Sequence, residues 1–200
     1  LTLLFVQEEG LAILDERKEI YEEIKKEILN CQACELWQYR KNAVPGEGNL
    51  FATLMFVGEA PGEQEDLQGR PFVGQAGKLL DSLIGSLGLS RKEVFITNVV
   101  KCRPPGNRDP LPAEILACNP FLVGQIGLIC PKIICTLGRH ALHTLVDPTR
   151  TISQVHGSRI AKDGIVFFPT FHPAAALYHD SMHQLLVEDF QILRRLLKEI

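Results

Sequence analysis

Four short apolar runs constrain the fold most: TLMFVG (53–58), VFITNVV (94–100), KIICTLG (132–138) and IVFFPTF (165–171). Each is strand-length, rich in β-branched or aromatic residues and bounded by turn formers, the pattern of strands buried on both faces. Helical stripes lie between them. Leu79, Leu80, Leu83, Ile84 and Leu87 recur at helical spacing and stop at Gly88. Pro112 to Cys118 reads as a short helix, and Asn119-Pro120 as the cap and first turn of another through Ile129. Arg139 to Val146 and Asp189 to Ile200 read as two more, and Asp163-Gly164 as a tight turn into the last strand. Such alternation predicts one α/β domain over residues 1–200, three layers deep, around a central, mostly parallel four-stranded sheet.

The first 35 residues are different in character. Ile13, Ile20, Ile24 and Ile28 are spaced by seven and four among charged residues, which predicts an amphipathic helix over about 11–29. Nine acidic residues against four basic ones give this segment a charge of −5, so that the remainder of a chain of net charge −3 carries +2. Lys101, Arg103 and Arg108 concentrate part of that excess in one short loop, a candidate phosphate-facing patch. No apolar run approaches the roughly 20 residues of a membrane helix, and the opening LTLLFV has neither the length nor the basic flank of a secretory signal. The expectation is a cytoplasmic protein with no membrane partner.

In open parallel sheets, ligands bind beyond the carboxyl ends of the strands. Three loops meet that rule. GEAPGEQEDLQGRPFVG (58–74) offers close backbone approach at its glycines, carboxylates at Glu59, Glu65 and Asp66, and an apolar ring at Phe72. It matches neither a dinucleotide fingerprint nor a P-loop. TNVVKCRPPGNRDP (97–110) contains Asn98, whose amide can accept and donate at the edge of a base. FHPAAALYHD (171–180) sets His172 directly after a strand.

Six cysteines complete the inventory. Cys130 and Cys135 lie in apolar stretches and read as small buried hydrophobes. Cys31 and Cys34 form a Cys-x-x-Cys pair after a helix, whereas a thioredoxin-like dithiol follows a strand. Cys102 and Cys118 are separated by fifteen residues, unlike the second knuckle of a zinc ribbon. Thiolates alone do not separate zinc from iron and sulfide.

GEAPGEQED, GRPFVGQAG, TNVVKCRPP and FHPAAAL, in this order and with the four-cysteine frame, resemble the family 4 uracil-DNA glycosylases from about Cys31 to the C-terminus. The resemblance implies a uracil-DNA glycosylase-like fold and hydrolysis of the bond between uracil and deoxyribose, in base excision repair. It implies one 4Fe-4S cluster held by Cys31, Cys34, Cys102 and Cys118. It implies a base pocket built from Gly58, Glu59, Ala60, Phe72, Asn98 and His172, with His172 donating to uracil O2. Better-known uracil glycosylases carry an Asp where this chain has Ala60, so either Glu59, Glu65 or Asn107 holds the attacking water, or the departure of uracil as an anion suffices with electrostatics alone. Leu177 is the candidate wedge into the base stack. The implied partners are uracil-containing DNA, single- or double-stranded, and uracil as product. The chain is expected to act as a monomer, with a sliding clamp kept open as a partner although none is evident. Two other readings stay in view: a non-catalytic nucleic-acid-binding module related to domains attached to phage-type DNA polymerases, and a Gly-loop nucleotide-binding protein, which the acidic loop disfavours. A related group that traps the abasic sugar covalently through a His in a basic KRRIH loop differs from this chain, which has no such insert after KCRPP.

Overall fold

The computed structural model describes the backbone of residues 2–177 and 179–200, with side chains for 13, 15–177 and 179–200. Its sheet contains β1 (Glu47–Gly48), β2 (Leu54–Gly58), β3 (Phe95–Asn98), β4 (Ile133–Leu137), β5 (Ile160–Lys162) and β6 (Ile165–Thr170), in the order β1-β3-β2-β4-β6-β5. The four central strands are parallel, as expected. Two short antiparallel edge strands, β1 on β3 and β5 on β6, extend the sheet to six. Both edges escape apolar patterning because they are only two and three residues long. The β5–β6 hairpin turns at Asp163 and Gly164, both at positive φ (51° and 78°), the geometry that Asp-Gly favours.

Seven helices are described: α1 (Thr2–Asn30), α2 (Glu63–Gln68), α3 (Gln75–Ser86), α4 (Pro112–Ile129), α5 (Arg139–Leu145), α6 (Ile152–Val155) and α7 (Asp180–Leu197). Side chains alternate across the sheet. Leu54 and Phe56 of β2 join α3 and α7 through Leu80, Ile84, Phe190 and Leu193 on one face. Met55 and Val57 join α1 and α4 through Ile28, Leu122 and Ile129 on the other. Each such side chain, fully buried, contributes about 2 kcal/mol.

Three element boundaries and one burial differ from expectation. The N-terminal helix begins at Thr2 rather than near residue 11, and of its isoleucines Ile28 is buried while Ile13 and Ile20 stay exposed. Pro112 to Ile129 is one helix that carries Pro120 inside it. Burial of Cys118, Leu122 and Ile129 on one face outweighs the hydrogen bond that the proline omits. The last helix starts at Asp180, nine residues early. Cys130, expected to be buried, is the exposed left-handed cap of α4 (φ 50°), whereas Cys135 lies in the core. By length and hydropathy alone α4 meets the criterion for a membrane span; here it packs beside α1, and both cover one face of the sheet.

Candidate active site

The loops after β2, β3 and β6 meet around a cleft of about 310 Å³ whose lining includes Glu59, Ala60, Phe72, Asn98, Asn107 and His172. Its depth depends on Gly58. A Cβ there would fall 2.4 Å from Asn98 Oδ1 and 2.6 Å from Phe72 Cζ, so only glycine lets both close on the strand end. Phe72 itself has φ 52°. A Cβ at Gly77 would meet its carbonyl oxygen at 1.9 Å. Left-handed backbone at a non-glycine costs about 1 kcal/mol or more and persists only where neighbours impose it. Here Arg91 donates to the carbonyls of Pro71 (2.6 Å) and Phe72 (3.1 Å), anchored in turn on Glu47 and Asp81. From the other side Glu65 accepts the backbone N–H of Val73 and Gly74, both at 2.8 Å, and that of Gly62 at 3.2 Å.

Asn98, the last residue of β3, is 1% exposed, and its Oδ1 is one of two buried side-chain polar atoms without a partner among the described residues. An unmet buried acceptor costs about 1–3 kcal/mol, which a ligand N–H would recover. The His172 ring stands 5.6 Å from Phe72, tilted by 31°. Burial pushes its pKa down to about 4 despite the carboxylate of Glu65, so the ring is neutral. Its Nδ1 accepts from the Ala174 N–H at 3.1 Å, which leaves Nε2–H as the donor. Glu59 is pushed up to about 7 by burial and by Asp109, against the pull of Arg139.

A second, smaller cavity is lined by Cys31, Cys34, Cys102 and Cys118, with Ile28 and Phe121. Main-chain and side-chain donors point at the sulfurs: Lys101 N–H at Cys118 Sγ (3.3 Å) and Arg40 Nη1 at Cys102 Sγ (3.0 Å). Among the described residues, no three of these sulfurs form a donor group in which all lie within 4.8 Å of one another. Tetrahedral zinc, with Zn–S near 2.3 Å, would draw them to about 3.8 Å.

The profile of the Uracil DNA glycosylase superfamily matches residues 45–197, which include every loop of the cleft. The chain belongs to this superfamily. Within it, the chain is 54% identical over 184 residues to a type-4 uracil-DNA glycosylase of Sulfurisphaera tokodaii, covering 88% of this chain and 84% of that protein. It is 55% identical over 177 residues to the type-4 protein of Saccharolobus solfataricus, covering 84% and 82%. Identity to that of Archaeoglobus fulgidus is 45% over 181 residues, covering 86% and 91%.

Against that family background, one expected site residue is misplaced. Lys101 was expected to face phosphate, yet it is 1% exposed and its ammonium is enclosed by Thr97, Asn98 and Gln125, so it cannot reach a phosphate. A Lys beside an Arg in a loop reads as surface charge, and nothing local signals acceptors on a distant helix. Arg108, exposed at the cleft, pairs with Glu114 (2.6 Å), and Arg103 donates to Asn107 Oδ1 (2.7 Å). Leu177 closes the 3-10 turn Pro173–Leu177 and is 39% exposed. Sequence reasoning missed Asp109 and His140, which crowd Glu59: His140 Nε2 lies 3.7 Å from Glu59 and 3.5 Å from Asp109, and Arg139 pairs with Asp109. His140 follows β4, so the strand-end rule could have found it. It is hidden because α5 begins there with no intervening loop.

Proposed function

We propose that this protein is a uracil-DNA glycosylase that takes a flipped uracil into the cleft and hydrolyses its bond to deoxyribose. The observation that carries the reading is the unmet Asn98 acceptor, buried beside the Phe72 ring in a cleft that also holds a neutral His172. Asn98 Oδ1 accepts uracil N3–H while Nδ2 donates to O4; cytosine offers the opposite pair. Phe72 stacks on the base.

In the chemical step a water oxygen bonds to C1′ as the C1′–N1 bond breaks, and the bonding pair leaves with uracil as an anion shared by N1 and O2. His172 Nε2–H donates to O2 where charge builds. Glu59 holds the water and takes its proton. Of the three candidates, Glu65 already accepts three main-chain donors and Asn107 Oδ1 is engaged by Arg103. Glu59 has a carboxylate facing the cleft with a pKa near neutrality, suited to a base. Leu177 fills the vacated stack, and Arg103 and Arg108 approach phosphates. Such a substrate sets the protein beside the genome.

Cys31, Cys34, Cys102 and Cys118 would hold the iron-sulfur cluster, and their shared cavity, with N–H donors aimed at two of the sulfurs, supports a thiolate-held group there. When bound, a cluster supplies a cross-link between the end of α1 and the loop after β3.

The test is Asn98→Asp assayed on uracil- and cytosine-containing oligonucleotides by alkali-labile abasic sites. The carboxylate has no donor for O4, so uracil excision should fall about 10²-fold while cytosine excision becomes detectable. Unchanged uracil excision in a folded variant would remove Asn98 as the base reader, and a parent protein that releases no uracil would end the glycosylase reading itself.

A further inference from the structure

Lys101 is buried between the two cavities, and the chemistry just described does not use it. Its Nζ donates to Thr97 Oγ1 (2.7 Å), to the backbone carbonyl of Asn98 (2.7 Å) and to Gln125 Oε1 (2.8 Å). Three acceptors match the three N–H groups of an ammonium. The acceptors are themselves held: Gln125 Nε2 and Thr97 Oγ1 both donate to the carbonyl of Pro45, at 2.6 and 3.0 Å. Lys101's own main chain faces both ways, its N–H to Cys118 Sγ and its carbonyl to the Val44 N–H (2.7 Å). Burying an ammonium is unfavourable, and well-packed apolar residues commonly replace buried charges without loss of stability, so core packing alone does not explain a lysine here.

We propose that Lys101 is a positioning residue for base recognition, clamping the turn that carries Asn98 and joining it through Cys118 to the cysteine-lined cavity. Val99 N–H to Gly58 (2.9 Å) and Val100 N–H to Glu59 (3.1 Å) continue the β2–β3 ladder past Asn98, so a shift of this turn moves both the base reader and the Glu59 backbone. The ammonium holds the turn through the Asn98 carbonyl, on the side of Thr97 and Gln125. The inference rests on the glycosylase reading and adds to it a residue that touches neither base nor DNA.

The test compares the parent with Lys101→Met and Lys101→Gln, and with Thr97→Val, which deletes one acceptor of the clamp. Four quantities are read: iron content with visible absorption, affinity for uracil-containing duplex, single-turnover excision of uracil, and binding of free uracil by ligand-observed NMR. Lys101→Met should keep its iron and duplex affinity while excision and free-uracil binding both fall about 10- to 100-fold, the scale of a misplacement near 1 Å. Lys101→Gln, which can make two of the three bonds, should recover part of both, and Thr97→Val should show a smaller loss of the same kind. A folded, iron-containing Lys101→Met protein with parental excision and free-uracil binding would overturn the proposal. Should Lys101→Met fail to fold or to hold iron, Thr97→Val decides: parental excision and free-uracil binding in that variant would overturn it equally. Absence of excision in the parent would fault the glycosylase reading instead.

Discussion

Glu59 and His172 face one cleft, and burial moves them in opposite directions on the pH scale. Burial raises the carboxyl to about 7 and lowers the imidazole to about 4, because in each case the charged form loses hydration. If water activation needs the carboxylate, single-turnover excision should rise about tenfold per pH unit on the acid side and level off above about pH 8. His172, neutral across that range, adds no limb near neutrality. Glu59→Gln should lower the plateau and flatten the profile; a steep acid limb surviving in that variant would assign the titration to another group. The charged groups that shift Glu59 are Asp109 and Arg139, beside a His140 whose pKa burial pushes down, and Asp109→Asn should move the midpoint of the limb downward by removing one repelling charge.

The 3-10 turn Pro173–Leu177 carries the base-pocket histidine before its start and a half-exposed leucine at its end, so one short element spans chemistry and strand separation. In duplex DNA a wedge offsets the loss of stacking, whereas a single strand needs none. Leu177→Ala should therefore slow excision from duplex about tenfold and leave single-stranded substrate nearly unchanged, measured side by side; equal losses on both would point to a role in packing the turn. Elements also show what a sequence makes legible. The four parallel strands could be read because buried strands leave continuous apolar runs, and the cleft could be read because glycines and polar residues collect at their ends. Pro120 misled because a proline's local preference for helix starts competes with tertiary burial, and in α4 burial prevails. Lys101 misled for a related reason: its environment is made by Gln125, 24 positions away and on another element. His140 escaped because the chain enters α5 directly from β4.

Across the whole molecule, the four cysteines draw together the end of α1, the segment before the 3-10 turn Glu35–Gln38, the loop after β3 and the middle of α4. A shared cluster on them, as proposed above, would close a long loop and stabilise the fold by restricting the unfolded chain. Protein purified without oxygen should be brown with about four irons per chain. Cys118→Ser should lower Tm and loosen residues 31–44 in hydrogen exchange, with the Asn98 turn following; a colourless protein with one zinc would overturn the assignment. The sheet's outline has a different consequence. Its outer strands are two and three residues long and bear Glu47 and Lys162, so neither margin presents a run of unpaired backbone that another chain could extend. Strand addition between copies is thereby discouraged even at high concentration, and any protein that docks on this molecule has to grip helices and loops.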